Sequence, residues 1–177
     1  ELLLYLPVEG EVENNLTDRT LLDMESIWDF ALTVDIEDIK ELISRQIEYN
    51  TAIAEEGLKN DYGANIGKVL LATYGNSVRD RAKAKAAAGS DARMNGCELP
   101  VIINAGSGNQ GLTCSLPVLE YAAELDADEE TTYRALVLSN LVAIHQKTGI
   151  GRLSAYCGAV SAGAAAGAGI AYLHGGD

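Results

Sequence analysis

The hydrophobic positions along this chain recur mainly with the period of an α-helix. In residues 17–34 they fall near i, i+3, i+4 and i+7, which places them on one face of a helix. A second helix is predicted from Asp35 to about Asn60, because its isoleucines and leucines keep this period and acidic residues occupy its first turn. A shorter helix is predicted through residues 69–71.

The middle of the chain mixes helices with two short interruptions. Asn76 is predicted to cap the alanine-rich helix that follows it. Residues 101–103 are predicted to form a brief strand or a buried extended piece, and residues 105–111 a loop. Residues 112–125, LTCSLPVLEYAAEL, are predicted to be helical with Pro117 inside the first turns. If the helix begins at about Ser115, Pro117 lies in the first turn, where proline is tolerated.

The C-terminal part is predicted to hold two more helices, the first over residues 128–147. Cys157 then precedes a stretch, residues 158–171, in which 11 of 14 positions are Gly or Ala. Interior glycine costs a helix about 1 kcal/mol relative to alanine, so this helix has to be held by close packing with a backbone, a ligand or a cofactor. Its small-residue face is also compatible with self-association into a homo-oligomer.

These elements predict a mainly α fold, a compact multi-helix domain with a glycine-rich loop and a closely packed Gly/Ala-rich helix. At 177 residues the length favours a single helical domain over residues 1–177, with an aliphatic core because the chain has one Phe and one Trp. The chain begins with Glu1 rather than Met, so we expect it to be the central part of a longer protein.

The net charge of −13 argues against a nucleic-acid or anionic-membrane partner, because like charges repel. The basic residues of NSVRDRAKAKAAAG are predicted to form a solvated helix face. No stretch is apolar enough to be predicted as a membrane span. Three cysteines at wide spacing predict a reducing cytoplasm rather than a disulfide framework.

Residues 106–111, GSGNQG, match the G-x-G-x-x-G pattern and precede a predicted helix. A dinucleotide site would also need a second parallel strand about thirty residues further on, where this sequence is helical. The loop is otherwise predicted to present backbone N–H groups to a carboxylate or another anion, or to serve as a structural turn. Polar side chains that could orient an amino group or clamp a carboxylate are Asn104, Ser107, Asn109, Gln110, Lys147, Arg152 and Ser154.

The cysteines Cys97, Cys114 and Cys157 form no C-x-x-C motif and have no histidine at zinc spacing, so a local zinc site is not predicted. All three are interpreted either as small buried residues or, for the two beside glycine-rich segments, as ligands with room for an inorganic cluster. Spacing alone leaves both interpretations open.

Two long motifs resemble a known family. They are MNGCELPVIINAGSGNQGLTCSLPVLEYA and RALVLSNLVAIHQKTGIGRLSAYCGAVSAGAAAGAGIAYLHGG. Over about residues 50–177 the chain resembles the serine dehydratase α-chain-like family that includes L-cysteine desulfidases. The resemblance implies a lyase of amino-acid catabolism that carries a [4Fe–4S] cluster without pyridoxal phosphate and converts L-cysteine or L-serine to pyruvate and ammonia.

By position, the resemblance implies that Cys114 and Cys157 are two cluster ligands. The third family cysteine falls at Ala164, which cannot bind iron, and Cys97 is the remaining candidate for that thiolate. The family's proton-abstracting residue falls outside this chain, so the fragment alone is expected to be inactive. The resemblance also implies a substrate-side loop that comprises Asn104, Ser107, Gly108, Asn109 and Gln110.

Two functions therefore stay open at the level of the sequence. One is the iron–sulfur core of a β-eliminating lyase that acts on a small amino acid. The other is a non-catalytic relative that has lost the cluster and serves as an amino-acid-binding or structural domain, which the alanine at position 164 favours.

Overall fold

Acidic and hydroxyl side chains set the start of most helices in this chain. The computed structural model describes residue 18 and residues 21–151 and 156–176. In this part, five N-cap side chains accept a hydrogen bond from a backbone N–H two or three residues further on, a donor that the helix itself leaves unpaired. The five are Asp23, Asp35, Ser77, Ser107 and Asp128.

The described residues form seven α-helices and no β-strand, which confirms the prediction of a mainly α fold. None of these helices is long and apolar enough to cross a membrane. The helices are α1 (Met24–Thr33), α2 (Ile36–Lys59), α3 (Ile66–Tyr74), α4 (Val78–Met94), α5 (Gly108–Glu124), α6 (Glu129–Ile150) and α7 (Gly158–Leu173).

Helix α5 lies at the centre of the packing, in contact with α2, α4, α6 and α7. Two apolar clusters meet on it. Leu112 and Leu116 pack with α2 and α4, and Cys114 and Val118 pack with α6 and α7. Because both sides of α5 are buried in this way, the helix fixes the position of the turn that precedes it.

Small residues let several helix backbones approach each other closely. A Cβ on Gly57 of α2 would collide with the backbone of α4, and a Cβ on Gly169 of α7 would lie too close to the backbone of α6. The predicted close packing of the Gly/Ala-rich helix is therefore confirmed on one face of α7. The opposite face, which is exposed, carries Gly163, Ala164 and Gly167.

The start of α5 differs from the sequence prediction. The helix begins at Gly108 rather than within residues 112–115, because Ser107 caps it and the glycine-rich sequence forms its first turn. Pro117 therefore lies inside the helix and not in its first turn, and the carbonyl of Thr113 has no N–H there to accept. The helix predicted over residues 112–125 is present, but the prediction that residues 108–111 form a loop is wrong.

Two further helix starts also need correction. α4 is capped by Ser77 rather than by Asn76, because the Ser77 side chain accepts the N–H of Asp80. α1 begins at Met24 and not at residue 17, because Asp23 accepts the N–H of Ser26 at 2.7 Å. Residues 17, 19 and 20 lie outside the described residues.

Residues 101–103 lie in no helix and pair with no strand in the part of the chain that the structure describes. The side chain of Asn50 in α2 takes the place of a neighbouring strand. Its Oδ1 accepts the N–H of Ile102 at 2.9 Å, and its Nδ2 lies 3.4 Å from the carbonyl oxygen of the same residue. The prediction of a brief strand is therefore wrong, and the segment is not a buried piece either, because residues 101 and 102 are half-buried and Ile103 is exposed.

The basic residues of α4 are not all solvated, contrary to the sequence prediction. Arg81 donates from Nε to Glu120 at 3.0 Å and from Nη2 to Glu124 at 2.6 Å. Lys85 also pairs with Glu120, a buried carboxylate of α5. A buried carboxylate without a cation is costly, so these two basic residues are drawn onto α5 rather than into solvent.

Gly57→Ala is expected to destabilise the chain by about 1–3 kcal/mol, because the new methyl group meets the backbone of α4 rather than a movable side chain. Gly167→Ala is the matched control. Nothing lies within 4 Å of a Cβ there, and alanine is the better helix former, so stability should rise by up to about 1 kcal/mol. Urea unfolding followed by circular dichroism measures both, and equal stabilities would contradict the packing described for Gly57.

Candidate functional site

The segment from Asn104 to Gln110 forms a tight turn that leads into α5. The backbones of Asn104 and Ser107 exchange hydrogen bonds of 3.1 and 3.0 Å. Gly106 has φ +84°, a conformation that glycine adopts freely, whereas Ala105 has φ +47°, which strains an alanine. Such strain is concentrated at functional sites, which makes the turn a candidate for ligand binding.

The polar side chains of this turn contact three different neighbours. Asn104 contacts α6, Asn109 contacts α4, and Gln110 contacts the first residue of α7. The structure therefore distributes the residues of the sequence-predicted substrate loop over several sides of α5 and does not bring them to one point.

Arg93 of α4 covers the outer side of the turn. Its guanidinium occupies the space that a Cβ of Gly108 would need, and its Nη1 donates to Asn109 Oδ1 at 3.1 Å. Ser107 acts locally, as the N-cap of α5. We did not predict Arg93 from the sequence, since only the fold brings α4 to this turn.

Three amide side chains form a hydrogen-bonded cluster beside the turn, which we call the amide cluster: Gln46, Asn104 and Asn140. Asn140 Nδ2 donates to Gln46 Oε1 at 2.7 Å, and Gln46 Nε2 donates to Asn140 Oδ1 at 3.0 Å. Asn104 Nδ2 donates to the backbone oxygen of Asn140 at 3.1 Å and to its Oδ1 at 3.0 Å. Neither Gln46 nor Asn140 was predicted from the sequence, although a polar residue among the regularly spaced apolar positions of a helix indicates a buried hydrogen-bonding side chain.

Two buried amide oxygens, Asn104 Oδ1 and Gln110 Oε1, have no hydrogen-bond partner among the described residues. The two residues are only 4% and 6% exposed, so bulk water does not satisfy these oxygens. For Asn104 the orientation of the amide is fixed, because a flipped amide would turn its oxygen towards two acceptor atoms of Asn140. Buried acceptors are nearly always paired, so each oxygen marks a place for an external donor.

Gln110 lies where α5 meets the first turn of α7. Its carboxamide occupies the space that a Cβ of Gly158 would need. Cys157 is the N-cap of α7, and its side chain makes no capping hydrogen bond. A helix N-terminus attracts anions through its backbone N–H groups and its dipole, so this corner offers an acceptor for an ammonium beside a site for a carboxylate.

A cavity of about 440 Å³ adjoins the start of α7. Cys157 and Ala164 both line it, together with Ser161. The two positions that the resemblance assigns to the second and third cysteines of the family therefore share one cavity. Cys114 is not among its lining residues.

Cys114 lies in different surroundings. Its thiol is fully buried, and its Sγ lies 3.4 Å from the carbonyl oxygen of Gly111 and 3.4 Å from Oδ1 of Asn140, either of which can accept its one hydrogen. Burial raises the pKa of the Cys114 thiol from 9.0 to about 12, so the sulfur stays protonated at neutral pH. In this structure the Cys114 side chain packs with residues of α6 and α7.

Cys97 lies in a third environment, half-buried against the cluster of α2, α4 and α5. The pKa of Tyr62 is raised to about 12, mainly by its hydrogen bond with Glu56 and to a smaller extent by its hydrogen bond with Cys97. The three cysteines predicted as metal ligands are thus placed in three separate surroundings.

The described residues do not fit a [4Fe–4S] cluster held by three cysteines of this chain. Such a cluster needs three thiolates close together, but Cys97, Cys114 and Cys157 lie in separate surroundings and Ala164 has no ligand atom. In this part of the chain no three His, Cys, Asp or Glu side chains form a group that could hold a metal ion.

The dinucleotide interpretation of residues 106–111 is wrong. From Gly108 onward the motif forms the first turn of α5, and the place where a second parallel strand is required lies inside α6. Of the other polar candidates, Lys147 lies half-buried in the last turn of α6, whereas Arg152 and Ser154 lie outside the described residues.

Comparison with known proteins gives a family match over most of the chain. The model of the serine dehydratase alpha chain family matches residues 12–177. A UPF0597 protein of Desulfitobacterium hafniense is 68% identical over 163 residues, which cover 92% of this chain and 38% of that protein. UPF0597 proteins of Lachnoclostridium phytofermentans and Fusobacterium nucleatum are 62% and 51% identical, each over 96% of this chain and 41% of the relative.

The chain thus spans about two fifths of the length of these curated relatives. No solved structure matches it significantly.

In the folded chain, Cys157 is expected to react with iodoacetamide, because it is exposed, whereas Cys114 is expected to react only after unfolding. Peptide mass spectrometry of samples alkylated with and without urea measures both. Cys157→Ser should abolish the fast reaction of that peptide and leave Cys114 protected. Rapid modification of Cys114 in the folded chain would show that its thiol is accessible.

Stability is expected to fall as the pH rises from about 9 to about 12, because the Cys114 thiol ionises in the unfolded chain before it ionises in the folded one. Below pH 9 this contribution is fully present. Tyr62, whose pKa is also raised to about 12, adds to the same trend, so the informative comparison is between the wild-type chain and Cys114→Ala. Between pH 9 and pH 12 the free energy of unfolding of Cys114→Ala should fall by at least about 1 kcal/mol less than that of the wild-type chain, as measured by urea unfolding. An equal fall in both proteins would contradict the raised pKa of Cys114.

Proposed function

We propose, since the chain belongs to the serine dehydratase alpha chain family, that it is the amino-acid-binding core of a β-eliminating lyase in a reducing cytoplasm. The substrates that we propose are L-serine and L-cysteine, which would yield pyruvate and ammonia. Because the chain spans about two fifths of its relatives, the proposal concerns the longer protein of which such a core is a part.

The observation that carries the proposal is the unpaired, buried oxygen of Gln110 beside the N-terminus of α7. The ammonium group of an amino acid would donate to this oxygen, and its carboxylate would accept from the first N–H groups of α7. Both ends of the zwitterion would then be satisfied. The side chain would extend towards the cavity lined by Cys157 and Ser161.

This arrangement suits β-elimination. When a base removes the Cα proton, negative charge spreads into the carboxylate, and the helix N-terminus would stabilise that charge. The bond from Cβ to oxygen or sulfur then breaks, and water or hydrosulfide leaves. The remaining aminoacrylate takes up a proton and is hydrolysed to pyruvate and ammonia.

The [4Fe–4S] cluster and the base that removes the Cα proton are proposed only for the longer protein. Cys157 is the exposed thiol at the cavity, and further thiolates and the base would come from outside the described residues. A second function, amino-acid binding without chemistry, is favoured by two observations. Cys114 is a buried thiol, and Ala164 occupies the third family position.

Anaerobic reconstitution of the full-length protein with iron and sulfide, followed by pyruvate assays with L-serine and L-cysteine, tests the lyase function. Iron uptake with pyruvate formation is the expected result. Calorimetric binding of either amino acid without iron uptake and without pyruvate would support the second function. Neither binding nor pyruvate would overturn both.

Gln110→Met tests the proposed role of the amide oxygen, because methionine keeps the shape and removes the acceptor. The variant is expected to raise KM by about 10- to 150-fold with a smaller effect on kcat, since a hydrogen bond to a charged group contributes about 1.5–3 kcal/mol. Thr113→Val, one turn further along α5, removes a hydroxyl that bonds only the local carbonyl of Asn109 and is the matched control. Equal KM values for the two variants would exclude Gln110 from substrate binding.

A further inference from the structure

A second cavity lies between α1, α2, α6 and residues 102–105. Its volume is about 340 Å³, which falls at the lower end of the range of small-molecule pockets. Phe30, Leu42 and Ile103 line it and are exposed to 47%, 60% and 59%. Three large apolar side chains exposed around one cavity are unusual for an isolated surface, so this groove is a candidate binding site.

The polar groups of the groove are those of the amide cluster. Gln46, Asn104 and Asn140 line it, and no acidic, basic or histidine side chain does. Gln110 and Cys157 are also not among its lining residues, so the groove is distinct from the corner proposed for the amino acid. An ion bound there would lose its hydration without meeting a countercharge, which disfavours charged ligands.

One acceptor of the amide cluster has no donor among the described residues. Gln46 and Asn140 satisfy each other, and Asn104 uses its Nδ2 on Asn140, but Asn104 Oδ1 has no partner among the described residues. A purely apolar occupant would leave this buried oxygen unpaired, which is costly. A ligand that carries one N–H donor would satisfy it.

We propose that this groove is a second binding site, for an uncharged small molecule with an aliphatic or aromatic body and one N–H donor that bonds Asn104 Oδ1. The apolar walls take the body of the ligand, and the neutral cluster excludes its charged analogues. The proposal does not depend on the lyase function, because it uses neither Gln110 nor the start of α7.

Three probes with the same branched body separate the contributions: isovaleramide is neutral and has an N–H donor, methyl isovalerate is neutral without a donor, and isovalerate is charged. Ligand-observed NMR titrations of the full-length protein at pH 7 give their dissociation constants. Isovaleramide is expected to bind about tenfold more tightly than either of the others, because each lacks one matched feature of the site.

Leu42→Gln places a polar side chain in the groove and is expected to weaken isovaleramide binding at least about threefold, while Val69→Gln on α3 changes an equally exposed apolar residue outside the groove and leaves binding unchanged. Ile103→Gln is the second groove variant, should Leu42→Gln fold poorly. Equal affinity for the amide and the ester, or binding that neither groove variant alters, would overturn the proposal. It would also fall if isovaleramide failed to bind and Leu42→Gln lowered the melting temperature, because another segment of the longer protein would then cover the groove.

Discussion

One buried amide, that of Asn50, holds the turn before α5 in place. Its Oδ1 accepts the N–H of Ile102 at 2.9 Å, and its Nδ2 donates to the carbonyl oxygen of Gly111 at 3.2 Å and to Ser115 Oγ at 3.0 Å. The residue is fully buried, so these bonds have no competition from water. Gly111 also lacks a side chain at the point where the carbonyl of Ile102 approaches, which lets the segment before the turn lie directly on α5. The positions of Asn104 and Gln110 follow from this arrangement.

The fold itself was accessible from the sequence, because helical periodicity and acidic first turns are local signals. Asp35 and Asp128 mark the starts of α2 and α6 in the way that the pattern indicates. The start of α5 was not accessible in the same way. A glycine-rich sequence favours a loop on propensity alone, and only the cap by Ser107 and burial against α2 and α7 make it helical.

The candidate site shows a sharper limit of sequence reasoning. Neighbouring polar residues in a turn suggest one binding point, yet Asn104 and Gln110 leave their oxygens unpaired in two different surroundings, one inside a neutral amide cluster and one against a helix N-terminus. The partners that decide this, Gln46, Asn140 and Gly158, come from distant parts of the chain. Residue types identified the turn, but the surroundings of Asn104 at one end of it and of Gln110 at the other depend on the helices that pack there.

The exposed face of α7 has a consequence for how the chain meets other surfaces. Gly163, Ala164 and Gly167 have no side-chain torsion to restrict, so covering them costs almost no side-chain conformational entropy. Most protein surfaces lose rotamer freedom when they are buried, and this loss offsets part of the apolar gain. On this face the free energy gained by burying apolar surface against α7 is retained almost in full. Because no long side chain stands between them, the backbone of α7 and that of the covering surface can come into direct contact.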